Sequence, residues 1–507
     1  MDESVSLPPV GACDAADKPR FSRLEHFSAW LFVVVGYCFC CAFPMSKQPP
    51  AAALFLTALY AVTFCFVLRG RVRFGLLQKL VLLSAALAVL AGLLWDNGGD
   101  AFLCFIYALT AYAYLVYAAT GNCLEEGWSE LVGLDLLRAL IVFPFSSFGS
   151  LFPALASNRD KGLGKSLLKV LLGLLLAVLP TAAALSLLSY DRGFQAILER
   201  LFFMQKEDLL IYICRFVFTV PVAMYFFGLF LSSSSRKREE DAERCRARAE
   251  RRRFVPFLTA AAAVIPLLLV YIIFFVSQWE YYTSAFTGLL PAGRSYAAYA
   301  REGFFELCAV AFINFLALIC LHRYVKDEHE RLLRALRLIL ALITLVLIGT
   351  AMSKLWLYVN RYGLTPDRVY AGWFMVLLTV LFLIVSAAQF FPKVKTLPLC
   401  MAVTVALYLL LALSGPNARI ARTNVDRFLS DQTQEIDIEL LSSLGDDAIS
   451  EMLRLEREWD RSDKPQDSFL RQELHEALER RACWETDFWA QTLSSRRADR
   501  LLRDAGY

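Results

Sequence analysis

No P-loop, no GxSxG and no HExxH occurs in this chain, and its 507 residues include only four histidines. These absences remove the Gly-rich phosphate cradle, the serine nucleophile on a strained turn and the helical zinc-ligand pair. His322 and Asp327 do give H-x-x-x-x-D in "HRYVKD". Some acyltransferases use that spacing for a histidine base and its orienting carboxylate. Here no Gly-rich or acid-binding companion follows, so chance explains the match better. His322 and His329 share a helix face, but two ligands without an acid are a weak metal signal. The sequence contains no cofactor motif. It also lacks a readable disulfide framework: of its 13 cysteines, most lie inside apolar runs and read as small hydrophobes. "CFCC" at 38–41 has no His or carboxylate close in sequence. Residues 1–27 are polar and mixed in charge. The first apolar run lacks a small-residue cleavage site and is expected to stay as a membrane helix.

What the chain has in excess is apolar sequence. It is 57% hydrophobic, with mean hydropathy +0.49, against about 45–50% apolar residues in a soluble domain. The excess falls into runs of bilayer-spanning length, about twenty residues each. Spans are expected near 28–45, 50–68, 76–95, 100–121, 166–189, 208–232, 254–277, 303–323, 332–353, 367–391 and 396–414. Run length, and the need to satisfy every backbone group within the segment, make them helices. The expected fold is all-α: a polytopic transmembrane helical bundle of about eleven spans, with a small C-terminal helical domain outside the membrane. The bilayer is therefore the first partner, and no nucleic-acid partner is needed.

Lys and Arg alternate sharply between connections. One set holds Lys18, Arg20 and Arg23, then Arg69 to Lys79, Arg159 to Lys169, Arg236 to Arg253, Arg323 to Arg334, and Lys393 with Lys395. The other set is sparse, and "DNGGD" holds none. The positive-inside rule places residues 1–27 and the 233–253 loop in the cytoplasm. An odd span count then puts the tail outside. The basic end of the loop, Arg251, Arg252 and Arg253, is a candidate contact for anionic lipid headgroups. The rest, "KREEDAERCRARAERRR", offers helical ion pairs.

Within the membrane domain (28–415), residues 128–156 read as an interfacial helix with a partly embedded continuation, broken by Pro144 and Pro153. Residues 191–203 read as a short amphipathic surface helix. The tail (416–507) has helical apolar spacing, with Gly445 and Asp446 between two short helices. A further helical stretch covers 466–493 and carries Trp484 and Trp489.

Charged and polar groups in or beside spans mark candidate function. Arg215 and Glu306 lie at overlapping depths and are expected to pair, either as an interhelical clamp or as a ligand or proton site; the remaining alternative is that each snorkels to the interface. Asn314 lies two turns beyond Glu306. On the same expected side, "NRYGLTPDRVYAGWF" (360–374) reads as a turn and a helix start. Gly363 supplies the special backbone angle, Thr365 the N-cap, Pro366 the first helical position and Asp367 the favourable dipole charge. That connector is expected to close over the Arg215/Glu306 layer. A candidate outward polar site therefore comprises Arg215, Glu306, Asn314, Lys354, Arg361, Tyr362 and Asp367. The competing reading is an ordinary tight connection.

Four stretches carry a family resemblance: "LDLLRALIVFPFSSFG" (134–149), "YAAYAREGFFEL" (296–307), "YVNRYGLTPDRVYAGWFM" (358–375), and "NARIARTNVDRFL" with "IDIELLSSLGDDAISEML" in 417–453. They resemble a bacterial integral-membrane family catalogued as domain of unknown function 4173, related to 4153. The resemblance implies a multi-pass protein of the bacterial plasma membrane and no known reaction. Three functions remain open. The first is a transporter or translocating scaffold using the polar site, although no clear inverted repeat supports it. The second is an envelope sensor or assembly protein that binds a protein partner through its tail. The third is an enzyme acting on a lipid-linked substrate.

Overall fold

The computed structural model describes residues 21–42, 49–68, 74–96, 98–155 (without Glu126), 206–234, 253–277, 304–326, 329–391, 393–430, 436–461, 468–484 and 491–507, with isolated positions elsewhere. Among these the chain is helical, and its only extended pairing is one isolated bridge, Val255 with Val325. The membrane helices are α1 (Arg23–Ala42), α2 (Pro49–Ala61, continuing as a π-turn to Val67), α3 (Leu76–Leu94) and α4 (Gly98–Ala119). A broken segment follows as α5 (Val132–Leu137), α6 (Phe143–Ser146) and α7 (Leu151–Leu155). Then come α8 (Lys206–Ser234), α9 (Phe257–Ser277), α10 (Phe304–Tyr324), α11 (Glu330–Tyr362), α12 (Pro366–Ala388) and α13 (Thr396–Leu413). The tail holds α14 (Pro416–Leu429), α15 (Ile438–Ser443), α16 (Ile449–Arg461), α17 (Ser468–Ala482) and α18 (Leu493–Ala505).

Among the described residues, eight helices are long and apolar enough to cross a bilayer, or nine if the segment bent by 43° after Ser146 counts as one span. The protein is a helical polytopic bundle. Of the expected spans, 166–189 lies outside the described residues, as do the 191–203 helix, Arg251, Arg252, Trp489 and nearly all of the 233–253 loop. Every other expected span coincides with a helix, but those at 50–68 and 303–323 are shorter apolar helices, Pro49–Cys65 and Glu306–His322, outside the eight. The largest boundary difference is in α11, which was expected to end near 353 and runs to Tyr362. Lys354, Asn360, Arg361 and Tyr362 are therefore helical. Polarity alone does not stop a helix; Gly363, at φ 76°, does.

The chain divides into two compact units. The first contains α1 and the 143–232 stretch. Phe32 of α1 packs on Phe227 and Phe230 of α8, at ring-centroid distances of 6.4 and 5.9 Å. Gly36 permits this approach, since a Cβ there would lie 2.5 Å from the Thr219 carbonyl. His26 meets the Ala154 carbonyl, and Ser146 bonds Ser232 at 2.8 Å.

In the second unit α3 lies between α4 and α13. Buried Ala88, Ala91 and Ala412 let these helices approach closely, which is how helices associate when lipid is as apolar as leucine. A larger core joins α9 to α13. The loop before α5 is tied down by Asp135. Its carboxylate accepts from the Tyr117 hydroxyl at 2.8 Å and from the Leu124 N–H at 3.0 Å.

The tail has its own core, including Ile420, Leu441, Met452, Leu474 and Leu502. The expected helix over 466–493 stops at Ala482, and a separate helix begins at Leu493 under a Thr492–Ser495 capping box. Leu364 and Val369, from the α11–α12 connection, pack against this core. The tail is thus seated on the end of a membrane hairpin.

Candidate functional site

Asn314, the central member of the expected polar set, is fully buried in α10. Its Oδ1 accepts from the Tyr271 hydroxyl of α9 at 2.8 Å, and its Nδ2 donates to Thr344 Oγ1 of α11 at 2.9 Å. The Thr344 hydroxyl donates back to the Leu340 carbonyl at 2.7 Å. Both ends of the amide are therefore used to lock three helices together. Glu306 is exposed at the start of α10, and Lys354 is buried in α11. Arg361, Tyr362 and Asp367 are exposed around the α11–α12 turn. Arg215 is half-buried in α8, which belongs to the other compact unit from Glu306.

Within the second unit the structure brings together the tail and two connections. The first is the α11–α12 turn. As the sequence predicts, Thr365 is the N-cap of α12, accepting from the Arg368 N–H at 3.4 Å, and Pro366 opens the helix. Arg368 folds back over Tyr358, with Cζ 4.1 Å from the ring centroid, and donates to the Tyr362 and Gly363 carbonyls at 3.1 and 2.6 Å. Asn424 of α14 then reads Leu364 as a strand neighbour would. The Leu364 N–H donates to Asn424 Oδ1, and Asn424 Nδ2 donates to the Leu364 carbonyl, both at 2.8 Å. Arg427, one turn on, donates to the Val359 carbonyl at 2.8 Å and also to that of Asn360. Both carbonyls belong to the last turn of α11; that of Val359 also accepts from the Gly363 N–H at 2.9 Å, so Arg427 adds a second donor there and a side-chain donor to Asn360. The tail thus completes the helix end.

The second connection is Trp95–Asp96, between α3 and α4. Trp95 Nε1 donates to the Leu413 carbonyl at 3.2 Å. The Asp96 N–H donates to Asp447 Oδ1, and the Asp446 N–H donates to Asp96 Oδ2, both at 3.1 Å. Arg481 braces Asp446 through two nitrogens and reaches Asp499 at 2.9 Å. Gly445 makes the approach possible. Its φ is 70°, and a Cβ there would lie 2.7 Å from Asp96 Oδ2.

This second junction is acidic. Burial pushes the Asp447 carboxyl up to about 6; the Ser494 hydroxyl and the Asp96 N–H oppose the shift, and the neighbouring charges of Asp96 and Asp446 add to it. A carboxyl raised in the folded state costs stability only where it must ionise. The cost is absent below the ordinary value near 4, grows between about 4 and 6, and is complete above that, at roughly 3 kcal/mol for this shift. Asp447→Asn keeps the Oδ1 acceptor and removes the titration. Relative to the parent, this variant is expected to gain more thermal stability at pH 7.5 than at pH 4.5. An equal difference at both pH values would contradict the assignment.

Beside the junction the tail opens into a groove of about 600 Å³. Glu439, Ser443, Glu473, Arg480 and Trp484 line it, with Arg481 on its wall. The Trp484 side chain is 71% exposed. Arg481 therefore belongs both to the groove and to the Asp446 brace.

A family model described as "Domain of unknown function (DUF4153)" matches residues 51–455. The chain belongs to this family. The match is to DUF4153 rather than to the related 4173 label that the sequence motifs resemble. No curated protein and no solved structure matches. The DUF4153 match runs from α2 into α16, so it includes the Trp95–Asp96 connection, the α11–α12 turn, and the Asn424, Arg427 and Asp446–Asp447 side of both junctions. The sequence expectation for this DUF4153 protein omits those partners. Their signal was present in "NVDRFL" and "SLGDDAIS": polar groups set into an amphipathic helix face, and a glycine before paired acids.

Proposed function

We propose that this DUF4153 protein is a membrane-embedded assembly or sensing platform whose tail presents a binding groove to an envelope protein. The supporting observation is the double grip on the outer turns, at Leu364 and at Asp96, next to an open groove with an exposed Trp484. Exposed tryptophan and arginine are the residue types that anchor protein interfaces. Arg481 gives an occupant of the groove a direct line to Asp446, and through it to the α3–α4 connection. The reading places the protein in a bacterial plasma membrane with its N-terminus in the cytoplasm and the tail outside, on the Lys/Arg asymmetry. The transporter reading needs a shared cavity among Arg215, Glu306, Asn314, Lys354, Arg361, Tyr362 and Asp367. The Asn314 amide is bonded at each end, to Tyr271 and to Thr344, which favours an interhelical clamp at that position.

Site-specific photocrosslinking in cells tests the proposal. A photoreactive residue at Trp484 is expected to give a discrete adduct that disappears when Glu439 and Arg480 are both charge-reversed. A photoreactive residue at Asp367, outside the groove, is expected to give none. Equal crosslinking at both positions, or none at Trp484, would overturn the reading.

A further inference from the structure

The opposite end of α11 carries a different constellation. Glu330, Arg334 and Arg337 follow one another at single-turn spacing, so they share a helix face. Arg334 Nη2 lies 2.6 Å from Glu330 Oε1, in a largely exposed pair. Arg337 is only 8% exposed. Its Nη1 donates to Gln389 Oε1 at 2.9 Å, and its Nε has no acceptor. Gln389 spends its own donor on the Val385 carbonyl at 3.1 Å. A guanidinium is thus buried against a neutral amide. Among the described residues, the charges that act on it are those of Arg253, Glu330 and Arg334. Two of those three are positive, and Glu330 is already bonded to Arg334.

The chain just after Arg253 is held by backbone. The Val255 N–H donates to the Tyr324 carbonyl, and the Lys326 N–H to the Val255 carbonyl, both at 3.0 Å. This bridge fixes the strand-like entry to α9 beside the end of α10. The chain next to Arg253 and to Gln389 is apolar and exposed: Phe254, Leu258, Phe390 and Phe391. By the Lys/Arg asymmetry this end of the bundle faces the cytoplasm, so it meets the inner-leaflet phosphates.

A buried charge is costly unless it is paired and fully hydrogen-bonded. Guanidinium groups match phosphate oxygens in fork geometry. We propose that Arg253, Arg334 and Arg337 form a binding site for the phosphate of an anionic phospholipid, whose acyl chains run along Phe254, Leu258, Phe390 and Phe391. The site is distinct from the tail groove, and it extends the headgroup expectation at Arg251–Arg253 into the folded helices. The apolar surroundings favour a lipid phosphate over a soluble one.

Native mass spectrometry of the full-length protein in mild detergent, offered equal phosphatidylglycerol and phosphatidylcholine, tests the site. At roughly 1 kcal/mol per basic residue at a membrane surface, the wild type should retain phosphatidylglycerol by about tenfold or more over phosphatidylcholine. Arg337→Gln should abolish that preference. Arg253→Gln, at an exposed position, should reduce it severalfold and keeps the test readable if Arg337→Gln lowers the folded yield. Arg331→Gln, exposed on the same turn, should leave it unchanged, and millimolar inorganic phosphate should not displace the lipid. Equal retention of the two lipids, equal loss in Arg331→Gln and Arg253→Gln, or displacement by inorganic phosphate would each overturn the lipid site.

Discussion

Replacing Asn424 and Arg427 together by alanine should free the tail from the α11–α12 turn and cost the tail about 3–5 kcal/mol. The Asn424 amide makes two bonds to Leu364, and Arg427 makes two to the last carbonyls of α11. Neutral bonds contribute about 1 kcal/mol each and charge-assisted ones about 1.5 or more; the Val359 carbonyl keeps the Gly363 N–H, which holds the total within this range. Limited trypsin digestion of the purified protein should then cut within the tail at least tenfold faster, since a change of about 1.4 kcal/mol already shifts the open population by that factor. A digestion rate within twofold of the parent would show that these bonds do not hold the tail.

Gly445→Val is expected to break the second junction. The position needs φ 70°, and its Cβ would meet Asp96 Oδ2 at 2.7 Å. A left-handed conformation costs a non-glycine residue about 1–2 kcal/mol, and displacing Asp96 removes the acceptor of the Asp446 N–H. A total loss of about 2–4 kcal/mol follows. Gly121→Val is the control, because Gly121 also has positive φ, at 80°, but has nothing within 4 Å of its Cβ position. Calorimetry of the two variants separates the terms: only Gly445→Val should exceed the backbone cost. Equal destabilisation would mean that the Asp96 contact contributes nothing.

Much of the architecture was legible from run length, because hydrocarbon leaves the backbone no alternative to helix. The turn chemistry of Gly363, Thr365 and Pro366 was legible for the same kind of reason: each residue type fits few backbone positions. The partners of that turn were not. Asn424 and Arg427 reach it from sixty residues or more away in the chain, a separation that no local pattern encodes. Helical periodicity identifies which face of α14 is buried but not what it is buried against. Asn314 was legible as a costly polar residue. Its partners Tyr271 and Thr344 carry no sequence signal, since a tyrosine and a threonine in an apolar helix pass as ordinary. The charges of Lys354 and Arg361 suggest a loop, whereas α11 continues through both until Gly363 ends it.

The central claim is that the tail grips both connections. Backbone hydrogen exchange in the full-length protein tests it most directly, at the amides of Leu364 and Asp96. Both lie outside helices, and both donate to tail side chains, Asn424 and Asp447. The account predicts that both exchange slowly in the parent. Asn424→Ala should release Leu364 alone, and Gly445→Val should release Asp96. Fast exchange of both amides in the unmodified protein would contradict it.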